Sequence, residues 1–296
     1  MVLIAALAIW LICVLLIAPF VVKIRLTNII LAVAIWLVCI ALTVPFVTKT
    51  WWMPDPITDH ARMVDSQMAL TFIVTGVIFI VAHLALGYAI LKFGRDRAEA
   101  ADYNTGSERW ELLWTAAATV LFVGLTFMSY TAWAEARFAE AATQPGSPDR
   151  VVIEVTGQQF VWNVRYPGAD GKFGPLDVTM IDDSMGNALG IDRASADGKD
   201  DIVVPRMAVP VDREIEVLLR TKDVLHNFFV PELRLKLDTV PGIQGRLRFK
   251  PDKVGTYEIV CSELCGLGHY KMRSYLDVME QDAYDNWLVE QASFLQ

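Results

Sequence analysis

Histidine and cysteine are both scarce in this sequence, four of each in 296 residues. No Cys-x-x-Cys-His stretch occurs, so the chain carries no covalent haem of its own. No glycine-rich segment follows the G-x-G-x-x-G order of a dinucleotide site, and no nucleophile triad stands out. Basic residues are outnumbered, 26 Lys and Arg against 34 Asp and Glu, which gives a formal net charge of −8. Such a field attracts basic partners and repels nucleic acid. Charge itself is missing from four segments, 2–22, 26–48, 66–91 and 112–134. Each is long enough to cross about 30 Å of hydrocarbon at about 1.5 Å per residue. The expectation is four transmembrane helices. The first lacks a basic start and an A-x-A-like site, and so reads as a helix rather than a cleaved signal.

Residues 8–21, "AIWLICVLLIAPFV", recur 26 positions later as "AIWLVCIALTVPFV". Residues 1–48 are therefore expected to form a duplicated hairpin added in front of a second transmembrane hairpin at 66–138. Lys23, Arg25, Lys92, Arg95, Arg97 and Arg109 place two loops on the cytoplasmic side, while the loop between holds only Lys49 and Arg62. Both termini, and the polar half 149–296, then face outward across a bacterial cytoplasmic membrane. That half holds 17 Lys and Arg against 24 Asp and Glu, a difference of −7, so nearly all of the acid excess lies there.

In the polar half, short stretches rich in Val, Ile and Phe alternate with period two: 151–166, 201–220, 245–261 and 273–279. Turn residues separate them, which argues for a β-sandwich or barrel. Tyr284, Trp287, Leu288 and Leu295 mark a terminal amphipathic helix over 282–295. Residues 167–202, with eight aspartates, read as a solvated and partly mobile insertion. A calcium site at Asp192, Asp197, Asp200 and Asp201 follows no established loop spacing.

Two of the four cysteines and two of the four histidines lie in this half. Residues 261–272 read "CSELCGLGHYKM", placing Cys261, Cys265, His269 and Met272 together, and His226 stands in "DVLHNFFVPE". Two thiols, two imidazoles and a thioether form a soft donor set that suits copper. A Cys261–Cys265 disulfide and a Cys2His2 zinc site remain alternatives. A single copper ion needs one cysteine only, whereas a copper pair bridged by both thiolates uses every donor.

These two stretches resemble the binuclear copper (CuA) site of cytochrome c oxidase subunit II, and the likeness extends over roughly residues 66–295. The resemblance implies a cupredoxin-like, Greek-key outer domain behind the membrane helices. It also implies two copper ions bridged by Cys261 and Cys265, with His226 and His269 as nitrogen ligands. Met272 and the backbone carbonyl of Glu263 would be the weak ligands, and the Glu263 carboxylate would face magnesium at the contact with subunit I. Implied partners are subunit I, other oxidase subunits, membrane lipid and a haem c donor. Electrons taken from that donor would pass to haem in subunit I, where oxygen is reduced with proton pumping.

In "ERWELLWTAAATV", Glu111 matches the acidic residue at the mouth of the family's proton-uptake path. His83, inside the third apolar segment, is expected to bond a neighbouring helix. Asp223 and Asp238 match aspartates that flank the upstream histidine and orient backbone or interface waters. The family's electron-receiving stretch departs here, reading "GQQFVWNVRY": Phe160 stands for the receiving Trp and Arg165 for an acidic docking residue, while Trp162 and Tyr166 persist. Phe160 and Trp162 are the candidates for receiving electrons. Of the two implied donors, cytochrome c or a membrane-bound haem c protein, the change points away from a free soluble cytochrome c of the usual kind and toward the membrane-bound protein or a stable complex with the donor. A copper-free quinol oxidase subunit II is disfavoured because all six ligand positions are kept. A copper-delivery protein is disfavoured because repeated Met or His is absent.

Overall fold

The computed structural model describes residues 24–50, 52–94, 103, 105–142 and 150–293. The first charge-free segment, 2–22, lies outside them. The other three are helical: α1 (Ile24–Val47), α2 (Asp59–Phe93) and α3 (Glu108–Ala142). Their apolar spans are Leu26–Val47, Asp59–Phe93 and Glu108–Tyr130, each long enough to cross a membrane. Helices are the natural outcome, because hydrocarbon offers no partner to a backbone amide and the segment must satisfy its own. Leu112, Phe122 and Phe127 expose about 70 % of their surface, as lipid-facing side chains do.

Contacts divide the chain into two units. In the helical unit, Met1–Trp52 with Gln67–Met128, the Trp36 Nε1–H donates to the His83 carbonyl at 3.2 Å. Gly87 admits that indole, since a Cβ there would lie 2.3 Å from the same nitrogen. Among the described residues the His83 imidazole shows a hydrogen bond to its own helix, where the sequence reading expected a neighbouring one. Its Nδ1 bonds the Phe79 carbonyl one turn back, at 2.7 Å, because the nearest acceptor in an apolar span is on its own helix.

The second unit, Met53–Ser66 with Ser129–Gln296, is a sandwich of two five-stranded sheets. Its strands are β1 (Arg150–Gln158), β2 (Val161–Tyr166), β3 (Ile202–Val204), β4 (Met207–Pro210) and β5 (Glu214–Thr221). They continue as β6 (His226–Val230), β7 (Leu235–Thr239), β8 (Gly245–Phe249), β9 (Gly255–Cys261) and β10 (Arg273–Met279). One sheet runs β3-β2-β1-β5-β8 and the other β4-β10-β9-β6-β7. The pairs β1·β5 and β4·β10 are parallel, and the rest are antiparallel. Alternation sends Ser274, Leu276 and Val278 inward from β10, while Ile153, Val217, Phe228 and Ile259 fill the layer between the sheets. A terminal helix, α4 (Gln281–Ser293), buries Tyr284 and sets Trp287 edge-on to Tyr166 at 5.2 Å.

Three features differ from the sequence reading. The stretch 151–166 is two strands, paired Glu154 to Arg165 around a tight turn at Gln159 and Phe160. The aspartate-rich insertion is held at both its base and its tip. Arg165, 1 % exposed, binds Glu154 at 3.1 Å, the Asp201 carboxylate and the Gly174 carbonyl. At the tip, Asp183 meets Lys222 at 2.9 Å. Arg165 is therefore an internal anchor and cannot meet a docking partner. Among the described residues, none of the insertion's aspartates joins a group of three close enough to hold a cation. Finally, Met53–Ser66 belongs with the sandwich. Ile57 is buried in its core, its amide donates to the Glu232 carbonyl at 3.2 Å, and Asp65 pairs with Arg234 through two 2.8 Å contacts.

Candidate metal centre

The metal donors gather at one end of a single sheet. In the β6–β9 pair, Phe228 lies opposite Cys261, so His226, two residues earlier on the same face, points to the loop that Cys261 opens. That loop closes on itself. The Cys261 amide donates to the Met272 carbonyl at 3.1 Å, and the Ser262 amide donates to the Asn227 carbonyl at 3.1 Å. A 3-10 turn at His269–Lys271 then returns the chain into β10.

Within this frame the two cysteine sulfurs stand 3.9 Å apart as free thiols. His226 Nδ1 is 4.0 Å from Cys261 Sγ, and His269 Nδ1 is 3.6 Å from Cys265 Sγ. Met272 Sδ lies 3.8 Å from Cys265 Sγ, and the Glu263 carbonyl oxygen 3.1 Å from Cys261 Sγ. His226, Cys261 and Cys265 form the one group of three metal-binding side chains within 4.8 Å of one another among the described residues. His269 joins it through Cys265 alone. Each of the sulfur, nitrogen and carbonyl donors expected from the sequence is brought to this point. Glu111 sits in the first turn of α3, at the start of a membrane span.

His226 is fully buried, and Cys261, Cys265 and Met272 are each less than one-tenth exposed. Burial, and then the Cys261 sulfur beside it, push the Cys265 thiol up to about 11. A thiol raised in this way gives up its proton readily only against a bound cation. Adjacent soft sulfurs with a nitrogen at each end fit a bridged copper pair.

Behind the donors, Asp223 Oδ1 lies 2.8 Å from His226 Nε2. Burial pushes the Asp223 carboxyl up, but the Gln159 amide, the His226 ring and the Val224 amide outweigh it and hold the group below its ordinary range. On the other side, Asn227 donates to Asp238 and accepts from the Ser262 hydroxyl, which links Asp238 to the ligand loop. Asp223 thus orients backbone, through the Gln159 and Val224 amides, as well as the His226 ring, and Asp238 bonds the Asn227 side chain. Trp162, a candidate for receiving electrons, is fully buried, its ring edge-on to His226 at 6.0 Å and to Phe228 at 5.6 Å. It is a wall behind the ligand, and solvent contact falls to Phe160, 37 % exposed. The Phe160 ring lies over Gly266 and Gly268, where added Cβ atoms would come within 3.2 and 2.3 Å of it. Gln159 and Asn227 were missed in the sequence. The one available signal was their position beside Phe160 and His226.

Comparisons with known proteins place the chain in a family. Residues 151–279 match the family described as cytochrome C oxidase subunit II, periplasmic domain. The chain is 34 % identical over 246 residues to the alternative cytochrome c oxidase subunit 2 of Bradyrhizobium diazoefficiens, covering 82 % of this chain and 85 % of that one. It is 25 % identical over 283 residues to cytochrome c oxidase subunit 2 of Thermostichus vulcanus, covering 79 % and 77 %. Among solved structures, the periplasmic domain of subunit II of cytochrome oxidase of Bradyrhizobium japonicum aligns at a TM-score of 0.38 and 27 % identity, over 52 % of this chain and all of that domain. The chain belongs to the cytochrome c oxidase subunit II family, the electron-transfer subunits that partner subunit I in membrane-bound haem–copper oxidases.

Proposed function

We propose that Cys261 and Cys265 bridge two copper ions, that His226 and His269 supply one nitrogen each, and that Met272 and the Glu263 carbonyl are the weak ligands. The observation that carries this reading is the convergence of the two buried sulfurs, 3.9 Å apart, with an imidazole nitrogen against each. When bound, such a pair supplies one-electron chemistry with little ligand movement, since the charge change is shared by two ions. The chain's own residues set the conditions for that chemistry. Asp223 and the wall of Trp162 hold His226 in orientation, and the buried sulfurs exclude water.

Phe160, with exposed Leu264, Leu267 and Tyr270 on the ligand loop, offers an apolar face to a haem c donor. The acid excess of 149–296 favours a donor with a basic rim, either cytochrome c or a membrane-bound haem c protein. Glu263, whose side chain is exposed, is assigned to magnesium at the subunit I contact. Glu111 is assigned to the mouth of the proton path. The chain is organised as a duplicated hairpin at 1–48, a second hairpin at 66–138 and the copper domain at 149–296, with four membrane passes and the copper domain on the periplasmic side.

Metal analysis of the purified oxidase tests the ligand assignment. Wild type is expected to hold two copper ions per chain in this domain, through dialysis against chelator. Cys261→Ser and Cys265→Ser are each expected to lose both. A copper-free wild type, or a serine variant that keeps its full copper content, overturns the assignment.

A further inference from the structure

We propose that Gln159 is a positioning residue that ties the donor-facing turn to both metal-ligand loops at once; its role presupposes the copper ligands named above. The residue makes two different attachments. Its main-chain N–H donates to Asp223 Oδ2 at 2.7 Å, and the other oxygen of that carboxylate receives His226 Nε2 at 2.8 Å. Its side-chain Nε2 donates to the Cys265 carbonyl at 2.6 Å. A carbonyl only accepts, so the amide has one way to face it.

The partners are remote in sequence, 64 residues away for Asp223 and 106 for Cys265, so no local turn could hold these groups together. Between the two attachments the chain turns into Phe160, whose ring rests on the glycines of the Cys265 loop. Gly266 has φ +134°, and a Cβ there would stand 2.8 Å from the Gln159 amide nitrogen. The ligand loop thus leaves room for this side chain. Through one residue, a shift of the donor-facing turn is coupled to His226 on one side and to Cys265 on the other. A relay whose ligands must stay still while charge changes gains from that coupling, and a docked donor meets a surface fixed relative to both sulfurs.

Gln159→Leu, of similar size with no donor, and Gln159→Glu, of the same shape with an acceptor facing an acceptor, test this in the purified oxidase. Both are expected to fold. Copper affinity in a chelator competition should fall about ten- to a hundred-fold, as for loss of an outer partner of a metal ligand. The copper–thiolate absorption bands should shift in both variants. In copper-stripped protein, Cys265 should be alkylated faster in both variants than in wild type. Wild-type bands, affinity and alkylation rate in both variants overturn the proposal, whether the only effect is then a raised KM or a lowered thermal midpoint. Should wild type hold no copper, the copper reading fails, and the alkylation rates alone still decide whether Gln159 holds the Cys265 loop.

Discussion

His226 Nε2 lies 2.8 Å from Asp223 Oδ1, which leaves Nδ1 as the nitrogen that faces Cys261. The carboxylate selects one tautomer of the ring and fixes the direction of its free lone pair before any metal arrives. Replacing Asp223 by Ala removes that selection. Copper affinity is expected to drop about ten- to a hundred-fold, with a smaller loss in Asp223→Asn, whose side chain still accepts a hydrogen bond. Competition against a chelator of known affinity checks this, and unchanged affinity in Asp223→Ala contradicts it.

Phe160 and the ligand loop fit together through a missing side chain. At Gly268 a methyl group would stand 2.3 Å from the Phe160 ring, so Gly268→Ala must displace the ring. Phe160→Ala removes it outright. Both variants are expected to keep copper and to weaken donor docking by about 1 kcal/mol, roughly a fivefold rise in KM for a soluble c-type cytochrome. An unchanged KM in both would show that the donor docks elsewhere.

Glu216, with its side chain 7 % exposed, lies between Arg150 at 3.0 Å and Arg248 at 3.2 Å. Burial pushes its carboxyl up, but Arg248 and then Arg150 outweigh this and hold it below the ordinary 4.5. A depressed carboxyl stabilises the fold above its unfolded value, and that contribution disappears as pH falls through the folded one. Glu216→Gln removes the carboxylate that Arg150 and Arg248 share, so it is expected to cost about 2 kcal/mol at pH 7. The gap from wild type should narrow as pH drops below about 4.5. Unfolding at both pH values, followed by tryptophan fluorescence, gives the comparison. A gap of constant size contradicts the ion-pair account.

Glu108 and Glu111 share the first turn of α3, where carboxylates favour any helix start. A role in helix initiation would be common to both; a proton path needs Glu111 alone. Glu111→Ala is therefore expected to slow oxygen-linked turnover with copper content intact, and Glu108→Ala to leave turnover unchanged. Equal effects in the two variants contradict the proton-path assignment.

Much of this was legible in the sequence for physical reasons. The helices within 26–48, 66–91 and 112–134 follow from the cost of burying charge in hydrocarbon. The ligands stood out because sulfur and imidazole are scarce elsewhere. Strand β10 coincided with residues 273–279 because its alternation is clean. Strands β6 and β7 were not read, since "HNFFV" and "LKLDT" are short and fall in a motif already claimed by His226. Other contacts left no local trace. Arg165 with Asp201, Asp65 with Arg234 and Gln159 with Cys265 join residues 36, 169 and 106 positions apart, and only the closed sandwich brings them together.

The most direct test of the central claim is electron paramagnetic resonance of the oxidised wild-type oxidase. One unpaired electron shared equally by two thiolate-bridged copper ions is expected, seen as hyperfine splitting from two equivalent nuclei. A signal from a single isolated copper, or none alongside a Cys261–Cys265 cross-link, would contradict the account.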